Sequence, residues 1–316
     1  MPPNHPPSPD KPLSMSPLDW LLLVTLSVLW AGSFLFAKIA LADLPPLTLG
    51  LGRVAIAAAI IAILIKPLGG TVPRDFETWR RFTILATVNN AIPFTLILLG
   101  QIHITIGLAS ILNATSPLFT ALIAHWMTQD DKLNRGRILG VAVGFAGVVI
   151  LLGPDLLSEL GTQVWAQLAL LGAALSYSFG ALYARRMRGL PPVTIAGGQL
   201  AMATVVLLPF ALAIDGPWAF ARASAGSLAA MTALAAFSTA IAYLMYFRLI
   251  ARAGATNAIL VTFLIPVSAI LLGIALLNEA VEPRQILGML TIFAGLAAID
   301  GRLVRAIGRS FHRTKP

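Results

Sequence analysis

Ten long apolar runs follow one another along this chain, separated by short polar connections. They occupy positions 17–37, 46–66, 80–100, 104–127, 136–153, 164–184, 191–213, 227–247, 254–277 and 284–301. About 20 apolar residues are enough for an α-helix to cross the hydrocarbon core of a bilayer. The strict alternation of a membrane-barrel strand is missing from these runs. The sequence therefore predicts an all-α integral membrane protein with ten transmembrane helices.

The composition supports this class and excludes others. Hydrophobic residues make up 58% of the 316 residues and charged residues 11%, which leaves too little polar surface for a soluble protein of this length. The absence of cysteine excludes disulfides, thiolate nucleophiles and cysteine-bound metals. The net charge of +9 could indicate nucleic acid, but the basic residues lie in short connections and in the C-terminal tail. We expect a bilayer and a small-molecule substrate as partners, and no nucleic acid, cofactor or metal.

The distribution of basic residues predicts the orientation. If the N-terminus is cytoplasmic, the connections on that side hold 18 Lys and Arg, against three on the other side: Lys38, Arg222 and Arg284. Basic residues collect on the cytoplasmic side of membrane proteins. We therefore expect a bacterial inner-membrane protein with both termini inside. The predicted organisation is a disordered tail (1–16), a five-helix repeat (17–153), a second repeat (164–303) and a basic tail (304–316).

The two halves repeat each other. The matching residues and segments are Trp20, Ser33 and Phe34 with Trp165, Ser178 and Phe179; PPLTLGLGRVA at Pro45 with PPVTIAGGQLA at Pro191; and ILGVAVGFAG at Ile138 with ILGMLTIFAG at Ile286. Five spans are an odd number, so the second copy must cross the membrane in the opposite sense. Inverted repeats place a shared site near the midplane. We expect a central cavity between the two repeats.

Proline interrupts two equivalent apolar segments, one in each half. GLASILNATSPLFTALIAHWM from Gly107 contains Pro117, and TNAILVTFLIPVSAILLGIALL from Thr256 contains Pro266, about 149 residues later. Broken helices at matching places in two halves are a good indicator of a transporter's substrate site, because a freed backbone group is tolerated where it lines a cavity.

The same segments carry a family resemblance. HITIGLASILNATSPLFTALIAHW and ARAGATNAILVTFLIPVSAILLGIALLNE resemble the paired signature of the drug/metabolite transporter superfamily, specifically its ten-helix EamA-type exporters. The resemblance covers nearly the whole chain and departs at Gln129-Asp130-Asp131-Lys132, where the family has Gly-Glu. Within the family the chain looks most like the bacterial exporters of aromatic and other neutral amino acids. The resemblance implies ten helices around a central cavity, alternating access and efflux.

Candidate substrate-binding residues come from polar side chains spaced three or four apart, which share a helix face, and from aromatic residues near mid-span. They are Trp30, Ser33, Phe34, Asn90, Phe94, Ser110, Asn113, Pro117, Ser176, Tyr177, Thr239, Tyr243, Tyr246, Thr262 and Pro266. For a single Ser, Thr or Gly, close helix packing is the favoured alternative. The larger polar groups of Asn90, Asn113, Tyr243 and Tyr246 must find partners or water. Trp30, near the midplane, fits a core position and a cavity wall equally well.

Arg53 is the one strongly charged residue inside a predicted span. It could bind the carboxylate of a substrate. Alternatively, it could reach towards the periplasmic membrane surface, bond to carbonyls at a helix end or pair with Asp43, and this second interpretation is the favoured one.

All thirteen acidic residues fall in tails, connections or span edges, with Glu279 the one whose position depends on the helix boundary. Proton-driven and cation exporters commonly need a carboxylate in the path. The sequence therefore favours facilitated efflux, or coupling through something other than a buried acid. The resemblance implies neutral, mainly aromatic, amino acids as substrates, and a multidrug or cationic-metabolite exporter is the alternative. No H-E-x-x-H, G-x-S-x-G or P-loop motif occurs, so we expect no enzyme activity. Gly140 and Gly144 could form a dimer face or pack within the bundle, and a monomer is favoured.

Overall fold

The computed structural model describes residues 15–128, 132–153 and 162–300, and this part of the chain is helical without any β-strand. Its ten long helices are α1 (Pro17–Ala40), α2 (Pro46–Leu64), α3 (Phe76–Gln101), α4 (Ile106–Met127), α5 (Arg135–Leu152), α6 (Gln163–Met187), α7 (Pro192–Asp215), α8 (Ala225–Ala253), α9 (Val261–Leu277) and α10 (Pro283–Asp300). The all-α class is confirmed. Three predicted features lie outside the described residues: the C-terminal tail, positions 1–14 of the N-terminal tail, and positions 129–131, where the sequence departs from the family pattern.

Length and composition qualify most of these helices as membrane spans. Helices α1 to α8 are each at least 18 residues long and apolar enough to cross a bilayer, and α9 is an apolar helix of 17 residues. The helices begin at residues suited to that position. Ser16 and Asp19 form a reciprocal capping box at the start of α1, and Thr105 accepts a hydrogen bond from the Leu108 N–H at the start of α4. The chain is a multi-pass membrane protein.

Helix packing follows the repeat. Helix α1 packs on α8 and α9, and its counterpart α6 packs on α3 and α4. Helix α2 packs on α7, and α5 packs on α10. If each helix of one half is replaced by its counterpart in the other half, the contacts of α1 become those of α6, and the α2–α7 and α5–α10 contacts are unchanged. The two halves are therefore related by an approximate two-fold axis through the bundle.

Equivalent helices run in opposite directions. At one end of the bundle the Thr48 N–H, in the first turn of α2, donates to Asp215 at the end of α7, over 2.7 Å. At the other end the Thr71 N–H, just past α2, donates to Thr194 at the start of α7, over 2.9 Å. Two contacts of this kind require an antiparallel pair. The second half is thus inverted relative to the first.

Glycines allow α5 and α10 to approach until their backbones touch. A Cβ placed on Gly147 would lie 2.7 Å from the Ile292 nitrogen and 2.8 Å from the Gly288 oxygen. A Cβ on Gly140 would lie 2.8 Å from the Gly295 oxygen, and one on Gly295 would lie 2.5 Å from the nitrogen of Gly144. Small residues bring helices together in this way within membranes. The Gly140 and Gly144 pair is used inside the bundle.

The two predicted proline breaks have different outcomes. Helix α4 is interrupted at residues 114–115, and Ser116 and Pro117 open its second part, as expected. In α9, however, Pro266 is buried inside a continuous helix, and the discontinuity precedes that helix at residues 259–260. The prediction that Pro266 breaks α9 is wrong. Neighbouring helices can stabilise a proline-containing span, and here α9 packs on α1, where Ser27 Oγ and Ser268 Oγ are 3.2 Å apart.

The matched discontinuities of the two halves are π-helical turns instead. Thr87–Ala91 form one in the middle of α3, and Ala236–Ile241 form one in the middle of its counterpart α8. A third π-helical turn, Ala211–Asp215, ends α7. A π-helical turn displaces backbone carbonyls from their usual partners and is frequent at functional sites. The sequence did not predict these turns.

Candidate functional site

The π-helical turns of α3 and α8 place two polar side chains at equivalent positions inside the bundle. Asn90 belongs to the first turn and Thr239 to the second, and both are fully buried. Thr239 Oγ1 donates to the Leu234 carbonyl at 3.1 Å. Leu234 lies five residues earlier, which is the same spacing as that of the backbone hydrogen bonds in a π-helix.

Residues from α2 and α7 reach these turns from the side. Arg53 on α2 donates from Nε to Thr239 Oγ1 at 3.0 Å. Its repeat equivalent on α7, Gln199, accepts at Oε1 a hydrogen bond from Asn89 Nδ2 at 3.1 Å. Both equivalent side chains therefore bond to a π-helical turn across the bundle, one charged and one neutral, with partners that differ by one position in the repeat.

Helices α1 and α6 approach the π-helical turns closely. A Cβ placed on Gly180 of α6 would lie 2.7 Å from Asn89 Oδ1, and one on Gly32 of α1 would lie 3.7 Å from Ser238 Oγ. Ser176 on α6 also donates from Oγ to the Val88 carbonyl at 2.7 Å, inside the first π-helical turn. Helices α1, α2 and α3 of the first half and α6, α7 and α8 of the second therefore surround the site.

Aromatic rings form the walls around Arg53. The centre of its guanidinium group lies 3.7 Å above the Phe94 ring, which is close enough for a cation–π interaction. Phe94 meets Tyr177 edge to face with ring centroids 6.5 Å apart. Tyr177 and Tyr243 both lie close to Arg53, and both are surrounded by protein while keeping accessible surface.

A second aromatic group adjoins the first along α8. Trp30 on α1 lies 5.2 Å from Tyr246, centroid to centroid, and Tyr246 lies 6.0 Å from Phe247. Phe247 in turn lies 6.3 Å from Tyr243. The half-buried Trp30 is therefore connected to the site through successive ring contacts.

Several buried polar atoms have no hydrogen-bond partner within the described part of the chain. Neither the oxygen nor the nitrogen of the Asn90 amide has a partner within normal hydrogen-bond distance and angle, and the Tyr243 hydroxyl is a nearby polar group that interacts with it from outside that geometry. The side-chain oxygen of Asn113 is also without a partner. Leaving a buried donor or acceptor unpaired costs about 1–3 kcal/mol. Such groups are uncommon in native structures, and each one requires an explanation.

The structure brings together six of the predicted site residues. Four lie around Arg53: Phe94, Tyr177, Thr239 and Tyr243. Asn90 lies beside Tyr243, and Ser176 contacts the π-helical turn that contains Asn90. Trp30 and Tyr246 adjoin them, and Asn113 is half-buried in α4.

Other predicted site residues serve packing or helix geometry. Phe34 is 5% exposed within the hydrophobic core, and Ser110 donates to the Gly107 carbonyl of its own helix at 2.7 Å. Thr262 likewise donates to Ile259 at 2.7 Å. Ser33 and Pro117 are half-buried. Sequence reasoning missed Asn89 and Gln199, although the repeat equivalence of Arg53 and Gln199 could have indicated the second of these.

The favoured interpretation of Arg53 is wrong. Its side chain is only 6% exposed, so it does not reach the membrane surface. Asp43 is already engaged, accepting hydrogen bonds from Ser227 Oγ at 2.7 Å and from the Ser224 N–H at 3.2 Å. Hydrogen bonds from Ser224 and Ser227 hold the pKa of the Asp43 carboxyl below its ordinary value.

In residues 15–128, 132–153 and 162–300, each acidic residue lies near a helix end or in a connection. None of these carboxylates lies at the mid-helix site around Arg53. Both oxygens of Glu279 accept from the Ile106 N–H at 3.0 Å and so cap the start of α4. Lys38 donates to the carbonyls of Gln101 and Ile104 at 2.7 and 3.1 Å. Glu279 and Lys38 together hold the α3–α4 connection.

A cleft of about 570 Å³ opens at the end of the bundle where α1 begins. It lies between the start of α3 and the end of α6 and is lined by Glu77, Arg80, Arg81, Ile84, Tyr183 and Arg186. Ile84 precedes Asn90 by six residues, or about 9 Å along a helix. The cleft is therefore separate from the site around Arg53 and lies next to it along α3 and α6.

Comparisons with known proteins agree with this architecture. Residues 19–153 and 164–299 each match the sequence profile of the EamA-like transporter family, one match for each half. A solved crystal structure has the same fold, with a TM-score of 0.64 at 18% identity, over 89% of this chain and 96% of that one.

Curated relatives span the length of the chain. A probable terminal-alkyne amino-acid exporter from Streptantibioticus cattleyicolor is 26% identical over 96% of this chain and 99% of its own length. The uncharacterized inner membrane transporter YedA of Escherichia coli K12 is 27% identical over 89% of this chain and 90% of its own. The uncharacterized transporter YvbV of Bacillus subtilis is 24% identical, with the same two coverages.

Proposed function

The chain belongs to the EamA-like transporter family, and on that premise we propose that it exports small neutral amino acids, aromatic ones above all, by alternating access. The proposal is supported by the cluster of aromatic and polar side chains around Arg53, in which Tyr177 and Tyr243 keep some accessible surface next to the π-helical turns of α3 and α8. An apolar wall with a few convergent polar groups is what a small zwitterionic metabolite requires.

The substrate-contacting residues that we propose are the aromatic walls and the polar groups beside them. Phe94, Tyr177 and Tyr243 would hold a planar side chain, and the unpaired amide of Asn90 would hydrogen-bond to the backbone portion of the substrate. Binding would then satisfy polar atoms that the protein leaves unpaired.

The amino-acid assignment is also supported by a relative. The Streptantibioticus cattleyicolor protein is named a probable amino-acid exporter, and it aligns with this chain over nearly its whole length. The alternative substrate class, lipophilic or metabolite cations, is disfavoured because the charged group at the site is Arg53, which repels cations.

Transport would proceed down the substrate gradient without proton coupling. A coupled proton needs a titratable group that alternates with the substrate, and the acidic residues of the described chain lie away from the site. Glu279 caps α4 through the Ile106 N–H instead. We further propose that both termini are cytoplasmic, in agreement with the basic connections, and that the unit is a monomer, because Gly140 and Gly144 are occupied within the bundle.

Liposomes containing the purified full-length protein test this proposal. Vesicles loaded with radiolabelled phenylalanine should release it several-fold faster than protein-free vesicles, with no imposed pH gradient. An added pH gradient should leave the rate unchanged. Equal rates in the two kinds of vesicle would overturn the substrate assignment, and strict dependence on the pH gradient would overturn facilitated transport. Faster movement of tetraphenylphosphonium, with none of phenylalanine, would establish the cation alternative.

A further inference from the structure

Arg53 is a buried cation for which the described part of the chain provides no counter-ion. Within the described residues its hydrogen bond is the one from Nε to Thr239, and no carboxylate pairs with it. The N–H groups on its two terminal nitrogens therefore have no protein acceptor. Burying a charge without compensation is strongly unfavourable, and breaking a buried pair leaves the same penalty.

Resting on the proposed function, we propose that Arg53 is the carboxylate anchor of the substrate site, and that the transported class is defined by a monocarboxylate joined to a planar apolar group, the amino group being dispensable. A guanidinium group presents its N–H groups in a planar fork that matches the two oxygens of a carboxylate. The bound carboxylate supplies the counter-ion that residues 15–128, 132–153 and 162–300 do not provide.

The neighbours of Arg53 determine from which side a substrate carboxylate can reach its terminal N–H groups. Thr239 holds Nε from one side, and the Phe94 ring covers one face of the guanidinium group at 3.7 Å. Tyr177 and Tyr243 lie next to it, and both keep some accessible surface. The proposed carboxylate reaches the terminal nitrogens from the accessible side of these tyrosines, and its apolar group packs against their rings.

The unpaired amide of Asn90 is an independent indication of a polar ligand at the same place. Its nitrogen and oxygen are both buried, both without partners in the described chain, and next to Tyr243. The nitrogen can donate to the carboxylate or to another substrate oxygen. The amide oxygen is a neutral acceptor, so it can accept from a substrate amino group without requiring one.

The site has one carboxylate anchor, because the two halves of the bundle differ at this position. The position equivalent to Arg53 holds Gln199, which is already bonded to Asn89 at 3.1 Å. One carboxylate is therefore recognised on the α2 side, and the α7 side contributes a neutral surface. An ammonium group finds no carboxylate near either position among the described residues.

Calorimetric binding to the purified full-length protein in detergent tests the inference directly. The three probes are phenylalanine, 3-phenylpropionate, which lacks the amino group, and phenethylamine, which lacks the carboxylate. We expect 3-phenylpropionate to bind within a few-fold of phenylalanine, and phenethylamine to show no binding. Arg53→Gln should weaken 3-phenylpropionate binding by about 10- to 100-fold, the loss expected for hydrogen bonds to a charged group. Arg53→Lys, which keeps the charge without the fork, should fall between the two.

Arg248→Gln is the matched control, because Arg248 is an exposed arginine near the end of α8. A monodisperse gel-filtration peak and an unchanged or raised melting temperature for Arg53→Gln separate loss of binding from misfolding. Binding of phenethylamine with none of 3-phenylpropionate would overturn the inference, and so would equal affinities in Arg53→Gln and the native protein. Strong 3-phenylpropionate binding with no phenylalanine release from liposomes would uphold the anchor and overturn the amino-acid assignment. Normal phenylalanine release by Arg53→Gln would overturn the anchor alone.

Discussion

Arg53 and Gln199 occupy equivalent positions on α2 and α7, and each bonds to the π-helical turn of a helix of the other half. Arg53 meets Thr239 on α8, and Gln199 meets Asn89 on α3. The scaffold of the site is therefore symmetric while its charge is not. Because the two halves are inverted, this asymmetry gives the site a direction across the membrane, which a transporter that distinguishes the two ends of its substrate can use.

Asn90 and its neighbour Asn89 should respond oppositely to the same substitution. Asn90→Leu replaces two unpaired polar atoms, so we expect an unchanged or higher melting temperature and at least about tenfold slower phenylalanine release. Asn89→Leu removes the hydrogen bond to Gln199 at the point where Gly180 packs, so we expect a lower melting temperature. Equal losses of stability in the two variants would show that Asn90 has a structural role.

Thr239 positions Arg53, and its removal should affect affinity more than turnover. Thr239→Val keeps the shape of the side chain but loses the acceptor for Arg53 Nε. A hydrogen bond of about 1 kcal/mol corresponds to roughly a fivefold rise in KM for phenylalanine, with the maximal rate unchanged. Thr239→Ser restores the hydroxyl and should restore KM. A fall in the maximal rate alone would argue against this positioning role.

The glycine seam between α5 and α10 should tolerate no added carbon. Gly147→Ala would place a Cβ 2.7 Å from the Ile292 backbone nitrogen, so the helices must separate, and we expect destabilisation of about 1–3 kcal/mol. Gly136→Ala is the control on the same helix, because its Cβ would meet only Asn134 Oδ1 at an ordinary 3.5 Å. Thermal unfolding in detergent compares them. Similar melting temperatures for the two variants would contradict the packing described for this seam.

The connection between α1 and α2 should make stability depend on pH. Hydrogen bonds from Ser224 and Ser227 lower the pKa of Asp43 from its ordinary 3.8. A lowered pKa in the folded state means that the carboxylate contributes stability above the ordinary pKa and loses that contribution as the pH falls through the lowered value. We therefore expect Asp43→Asn to melt at a lower temperature than the native protein at pH 7. The difference should shrink below about pH 4. A difference independent of pH would exclude this linkage.

Much of the architecture could be predicted because it depends on local hydrophobicity and on the repeat. Ten apolar runs correspond to ten helices, and the spacing of Asn90, Thr239 and Tyr243 placed them on inward faces. The break in α9 was misplaced because Pro266 constrains only its own turn, whereas packing on α1 decides whether the helix continues.

The centre of the site could not be predicted, for physical reasons. The segments TVNNA and AFSTAI carry no local signal for a π-helical turn, since the extra residue in each is stabilised by helices distant in the sequence. The state of Arg53 depends on where Asp43 finds its partners, and these are the serines at the start of α8. Only the folded bundle determines that Arg53 has no carboxylate partner among the described residues.

Cysteine accessibility at Tyr243 tests whether the transport site lies beside Arg53, because the native chain has no cysteine and Tyr243→Cys introduces a single thiol. Leu234→Cys, at a fully buried position on the same helix, is the control. We expect a water-soluble, membrane-impermeant maleimide to label Tyr243→Cys but not Leu234→Cys, and phenylalanine to slow the labelling. If Tyr243→Cys stays unlabelled, or reacts at the same rate with and without substrate, the side-chain cluster around Arg53 is not the transport site.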